Sequence, residues 1–225
     1  MDQKLLAYFE GYLTEKRKSL FKKVLEDRTR HFTVVLEDIF QPHNTSAVLR
    51  TCDIFGIQDV HAIENKYNNK ISRHVAKGSQ KWLSYNRYRN DGDNTASCLA
   101  SLKEKGYQII ATTPHNDSCV LQDFDVTKKS AFVFGVEAEG VSDTVMENAD
   151  GFLKIPMVGF TDSLNISVAA AIILQEVTSK LRNSNVDWKL SDEEKEFLYF
   201  DWLKTTIKNV DKIEAHYHQN ATNGN

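Results

Sequence analysis

Cysteine is scarce in this 225-residue sequence, and its patterns are scarcer still. Cys52, Cys98 and Cys119 are odd in number and form no CxxC pair. That excludes a disulfide-stapled scaffold and leaves reduced, buried thiols in a cytosolic protein as the plain reading. Long apolar runs are missing too. The most apolar stretch, Val168 to Leu174, falls far short of the roughly 20 residues a membrane helix needs. The opening MDQKLLAYFEGYL meets an acid at once and holds no small-residue cleavage site, so no secretion signal is expected and a cytoplasmic location is. No His, Cys and Asp spacing indicates a metal: His115-Asn116-Asp117-Ser118-Cys119 reads as a loop, and so does the terminal His216-x-His218. Gly-x-Gly-x-x-Gly does not follow the first strand-like run, which argues against a Rossmann nucleotide site.

What is present suits a globular chain: 41% of residues are hydrophobic, enough for a real core. The net charge of −3 hides an uneven distribution. Residues 16–30 carry seven Lys/Arg (Lys18, Lys22, Arg28 and Arg30 among them) against Glu26 and Asp27. Residues 66–89 carry seven more, including Arg87 and Arg89, and no acid. Tyr67, Trp82, Tyr85 and Tyr88 are interleaved with this second cluster. Cations that bind phosphates beside rings that stack on bases suit RNA. The alternative is a solvated basic face, which is the better reading of the N-terminal cluster alone.

Between residues 4 and 27, apolar residues recur at helical spacing, giving one or two amphipathic helices. Strand-like runs follow at Phe32–Leu36, Asp59–Ile63, Gln108–Thr113, Ala131–Val136 and Gly151–Met157. Helical patterns separate several of them at Ser46–Phe55, Thr95–Glu104 and Ser167–Leu181. This alternation predicts an α/β domain with a largely parallel sheet. A final helical stretch runs from Asp192 to about Tyr217, its apolar stripe (Trp188, Phe197, Leu198, Phe200, Trp202, Leu203, Ile207) needing a partner surface. The expected organisation is a basic helical extension over 1–31, a central domain over 32–183 and a C-terminal helical extension over 184–225.

Three segments carry chemistry. Pro42-His43-Asn44-Thr45-Ser46-Ala47-Val48-Leu49-Arg50-Thr51 joins the first strand to the first core helix, with Asn44, Thr45 and Ser46 offering cap oxygens. Arg50, at a strand's carboxyl end, is placed to meet a ligand in an open α/β sheet; otherwise it is a surface arginine on a capped helix. Phe134-Gly135-Val136-Glu137-Ala138-Glu139-Gly140 follows a late strand, where glycine allows close approach of backbone and ligand. Ile155-Pro156-Met157 leads through a loop to Ser163-Leu164-Asn165-Ile166-Ser167 and a helix rich in small residues. As pure structure this is a well-capped core helix. Asn165 is the odd residue, since asparagine gains little in a first turn and can donate to a ligand.

In this order and register, with Asn-x5-Arg and Ser-x-Asn intact, the segments resemble the signature motifs of the SPOUT-class RNA 2′-O-methyltransferases of the TrmH/SpoU family, most nearly its tRNA (guanosine-18) branch. The likeness spans about Phe32 to Arg182 and includes Ala76–Trp82 (AKGSQKW). It implies a parallel α/β sheet with a C-terminal deep trefoil knot, S-adenosylmethionine as cofactor, a homodimer, and tRNA as substrate. By motif matching, Thr112, Gly135, Ile155, Met157 and Leu164 would hold the cofactor. Asn44, Arg50, Glu137, Ser163 and Asn165 would serve catalysis, Arg50 as base or as a positioner of phosphate and hydroxyl. The sequence departs from the family at Ala138-Glu139 and at Phe160-Thr161-Asp162, and little of it matches beyond Arg182. Two other readings compete, a ribosomal-RNA methyltransferase and a catalytically silent RNA-binding dimer.

Overall fold

The computed structural model of the chain describes residues 2–113, 119–136 and 139–223, the last three without their side chains. Its helices are α1 (Gln3–Glu10), α2 (Glu15–Leu25), α3 (Pro42–Phe55), α4 (Arg73–Ala76), α5 (Asn94–Glu104), α6 (Asp143–Asn148), α7 (Ile166–Arg182), α8 (Asp192–Thr206) and α9 (Val210–Asn223). Its strands are β1 (Phe32–Glu37), β2 (Asp59–Ile63), β3 (Ser84–Tyr88), β4 (Gln108–Thr112), β5 (Cys119–Val120), β6 (Ser130–Phe134) and β7 (Gly151–Lys154). Residues 29–188 form one compact unit, and residues 1–28 with 189–225 form another.

In the larger unit the strands make one parallel sheet, ordered β3-β2-β1-β6-β4-β7-β5. Side chains alternate across a strand, so β1 feeds two cores at once. Phe32, Val34 and Leu36 pack with Val48, Leu49 and Cys52 of α3 and Ile173, Leu174 and Val177 of α7. Val35 joins Cys98, Leu99 and Leu102 of α5 and Val145 of α6 in the second cluster. Strands covered on both faces have no wet side, which is why VVL, QII and FVF read as continuous apolar runs.

Helix α3 begins at Pro42, four residues before the pattern predicts, because proline needs no N–H partner in a first turn. Asn44, Thr45 and Ser46 therefore lie inside the helix and are not its caps, and all three are buried. The Ser46 hydroxyl donates back to the Pro42 carbonyl at 2.6 Å, and the Thr45 hydroxyl donates to Asn69 Oδ1 at 2.7 Å. The helix ends at Gly56, whose φ of 77° is left-handed. Strand β3 went unpredicted because SYNRY shows no apolar alternation on a partly wet edge. Strand β5 and the short helices α4 and α6 were also missed, and β7 stops at Lys154, short of the expected Met157. Among the three thiols, Cys52 and Cys98 are buried, but Cys119 is exposed, contrary to the sequence reading.

In the smaller unit, Phe9, Phe21, Leu25, Leu198, Trp202 and Leu203 are buried. The Phe21 ring meets Trp202 edge-on with centroids 5.5 Å apart. Helix α8 opens with a capping box between Ser191 and Glu194. The expected final helix is two, broken at Asn209, whose φ is 57°. Phe197 faces outward and does not share the buried stripe.

Candidate active site

The carboxyl ends of β4, β6 and β7 open onto a cleft enclosing about 650 Å³ of space, including solvent at its mouth. Thr112 and Thr113 arrive from β4, Phe134, Gly135 and Val136 from β6, and Leu153, Lys154, Ile155 and Met157 from β7. Ser163, Leu164, Ile166, Ala169 and Ile173 close it from the start of α7. Five residues matched to cofactor contacts from sequence (Thr112, Gly135, Ile155, Met157 and Leu164) thus line a single cleft, and Ser163 joins them.

Gly135 is fixed by packing. A Cβ there would lie 2.0 Å from the Gly140 carbonyl oxygen, an impossible contact with backbone. The approach is held by paired hydrogen bonds, Val136 N–H to Gly140 O at 2.9 Å and Gly140 N–H to Val136 O at 2.7 Å, with Gly140 at a φ of 74°. The cleft lining is largely apolar, with threonine and serine hydroxyls at intervals, which suits an amphipathic small molecule with a flat ring. Glu137 and Ala138 lie outside the described residues, as does the segment 114–118.

The first and third sequence segments meet beside this cleft. Asn165 is the N-cap of α7 and not a first-turn residue: its Oδ1 accepts from Ser167 N at 2.9 Å and Ser167 Oγ at 2.6 Å. Its Nδ2 donates to Asn44 Oδ1 at 3.2 Å, tying the α7 start to the first turn of α3. Arg50 is the ninth residue of α3, two turns beyond Asn44, and stands exposed. It lines neither this cleft nor a second cavity at the carboxyl ends of the strands.

Sequence reasoning missed Glu37, the last residue of β1, which is buried. Its Oε1 accepts from the Thr95 and Ser142 hydroxyls, each at 2.7 Å, and its Oε2 accepts from Ser142 N at 2.9 Å. It anchors the segment after Gly140 that closes the glycine turn. An acid ending an otherwise apolar buried strand was the available signal.

The expected phosphate-binding cations divide. Lys22 and Arg89 are exposed, and Lys18 is partly covered and ion-paired with Glu15. Arg30 contacts Asp59 at 3.1 Å. Arg87 forms a two-pronged pair with the fully buried Glu64 carboxylate, both bonds 2.8 Å. Arg28 is 1% exposed, its guanidinium 5.4 Å from the Trp202 ring centre, so the structure withdraws it from any polyanion. Tyr85 likewise packs against the core and is no stacking platform; burial raises its hydroxyl pKa.

Comparison with known proteins agrees with this geometry. The model of the SpoU rRNA Methylase family matches residues 31–175. A tRNA (guanosine(18)-2′-O)-methyltransferase of Borreliella burgdorferi is 39% identical over 211 residues, covering 94% of this chain and 95% of that one. The crystal structure of the A. aeolicus TrmH/SpoU tRNA modifying enzyme superposes with a TM-score of 0.77 at 33% identity, covering 86% of this chain and 98% of that one. The SpoU methyltransferase AviRb of Streptomyces viridochromogenes, solved in complex with AdoMet, shares the fold at a TM-score of 0.61 and 23% identity, covering 72% of this chain and 65% of that one. A glycine-walled cleft beyond β4, β6 and β7, an Asn44–Asn165 contact joining two distant segments, and a family match across both lead to one assignment: this chain belongs to the SpoU RNA methylase family.

Proposed function

We propose that the chain is an S-adenosylmethionine-dependent tRNA methyltransferase acting on the ribose 2′-hydroxyl of guanosine-18. The observation that carries this reading is the convergence of Thr112, Gly135, Ile155, Met157 and Leu164 on one cleft. Its apolar walls fit a purine, and the bare Gly135 lets the Gly140 carbonyl pack against the cleft wall where a side chain would collide. When bound, the cofactor supplies an electrophilic methyl group on a sulfonium.

The chain's own residues then position the acceptor. Asn44 and Asn165 hold the starts of α3 and α7 together, and Ser163 lines the cleft mouth. Glu137 is assigned with them from the motif alone. Arg50 binds the phosphate next to the target ribose and polarises its hydroxyl, a role that suits a guanidinium better than giving up its proton. Arg50 and Ile54 lie four residues apart on α3, hence on one face. Ile54 there, Val168 and Ile172 on α7, and Phe160 before it are all exposed. Covering such side chains with a second copy is the basis for a homodimer, with Arg50 beside the interface. The segment from Ile155 to Leu164 is the part that a trefoil knot would thread. The acceptor tRNA would meet exposed cations such as Lys22 and Arg89. An action on ribosomal RNA and a silent RNA-binding dimer are the outcomes this reading excludes.

Calorimetry with S-adenosylmethionine and its demethylated product tests it. Binding at a hundredfold the dissociation constant should stabilise the fold by roughly 2.7 kcal/mol and raise the melting temperature. No binding of either compound to folded protein would leave only the silent binder.

A further inference from the structure

Within the sheet, the connection from β1 leads to β2 on one side, and the connection from β6 leads to β7 on the other. The β1/β6 boundary is therefore a topological switch point, where open α/β sheets bind ligands. A second cavity lies there, holding about 1120 Å³ of space open to solvent. It shares Val136 and Gly140 with the cofactor cleft, so the two adjoin at these residues.

Its lining is unusual for an RNA-binding protein. Glu37, Asp38, Asp93, Glu139 and Asp143 line it against a single cation, Lys66. Lys66 is itself paired with Glu139 at 3.3 Å, which raises its pKa above the usual lysine value. Phosphate is repelled from such a space, and a neutral group rich in N–H donors is favoured. Glu37 is engaged at both carboxylate oxygens by three hydrogen bonds from Thr95 and Ser142. Asp38 differs. It is 6% exposed, and its Oδ1 accepts from Lys66 N at 2.7 Å and Tyr67 N at 3.3 Å. Among the described residues nothing donates to its Oδ2. A carboxylate oxygen that no described residue bonds, on a residue 6% exposed that lines a cavity next to the cofactor cleft, is placed to accept from a ligand.

Guanine is the standard base whose Watson–Crick edge offers two neighbouring donors, the ring N1–H and the 2-amino group. Adenine and cytosine each set an acceptor beside their single donor there. Building on the proposed tRNA reaction, we propose that this cavity takes the base of the target guanosine and that Asp38 determines its identity. The base rests on the β1/β6 side of the Val136–Gly140 bridge while the cofactor occupies the other, and Oδ2 of Asp38 accepts from the guanine donor edge. Reading an extruded base by its Watson–Crick edge is how enzymes acting on single nucleotides select them.

The test compares transcripts carrying guanosine or inosine at the target position, with the intact protein and Asp38→Asn. Inosine lacks only the 2-amino donor. Asparagine keeps one oxygen for the Lys66 and Tyr67 amides, tolerates the left-handed φ of 52° at this position and replaces the free acceptor by a donor. The wild type should methylate guanosine about 10- to 100-fold faster in kcat/KM than inosine, the range for a hydrogen bond to a charged group. Asp38→Asn should slow guanosine to the inosine rate and compress that ratio to about one, with S-adenosylmethionine affinity unchanged. A second variant, Thr144→Trp, fills the cavity from α6 and should abolish transfer while cofactor binding persists. An unchanged guanosine-to-inosine ratio in Asp38→Asn, a wild type indifferent to the base, or a fully active Thr144→Trp would overturn the proposal. Loss of cofactor binding in the wild type would instead sink the methyltransferase reading.

Discussion

The proposed role of Arg50 rests on the motif and the proposed dimer: the side chain is exposed on α3 and lines neither cavity. Arg50→Ala should slow single-turnover methyl transfer by roughly 10²–10³-fold, the range for loss of one donor that stabilises charge in the transition state. Cofactor affinity should hardly move, since the cleft is lined by other elements. Arg50→Lys should rescue poorly, because an ammonium lacks the planar fork. A variant retaining more than about half the rate would remove Arg50 from the reaction. His61 on β2 gives a residue-scale test of stability. Burial lowers its pKa from 6.5 to about 4, so the folded state resists its protonation. The contribution is complete above the unfolded pKa and is lost as pH falls toward 4; between pH 7.5 and 5 it amounts to about 2 kcal/mol. Urea midpoints should fall more steeply over that interval in the wild type than in His61→Gln. Equal slopes would mean that His61 is not buried as a neutral ring.

Elements were legible where burial is two-sided and obscure where it is not. β1, β2, β4 and β6 announce themselves as apolar runs because both faces of the sheet are covered, and α5 and α7 by their apolar stripe. Strand β3 hides because its backbone, and not its side chains, makes the sheet edge. Its cations were read as an RNA surface, yet Arg87 is committed to Glu64 across the β2–β3 edge. Removing one partner of such a pair strands a buried charge. Arg87→Ala should therefore cost up to about 3 kcal/mol, the low end of that effect because Arg87 is one-third exposed. Pairing it with Glu64→Leu should recover much of the loss, as chemical denaturation would show; additive losses would refute the coupling. A weakened affinity for tRNA in Arg87→Ala alone is thus no measure of phosphate contact, whereas Arg89→Ala is. The site followed the same division. The five positions matched to cofactor contacts were legible as a group that lines one cleft, because a motif fixes backbone proximity as well as chemistry. Glu37 and Asp38 were not, since a single acid at a strand end looks like any other until the fold shows what it faces.

For the whole molecule, the parallel sheet and its coverage agree with the composition, and the cations are consistent with a polyanionic partner despite the net charge of −3. The unpartnered apolar side chains on α3 and α7 predict that Ile172→Glu shifts sedimentation from a dimer to a monomer and lowers activity with it. A wild type that sediments as a monomer at assay concentration would refute this. The most direct measurement supplies radiolabelled S-adenosylmethionine to the protein with an unmodified tRNA transcript, then digests the RNA and identifies the labelled nucleoside. The expected result is label in 2′-O-methylguanosine at one site per tRNA, lost when guanosine-18 is replaced by adenosine and lost in Gly135→Ala, whose new Cβ would collide with the Gly140 carbonyl. Label on a base, label at another ribose, or no transfer by folded protein that binds the cofactor would contradict it.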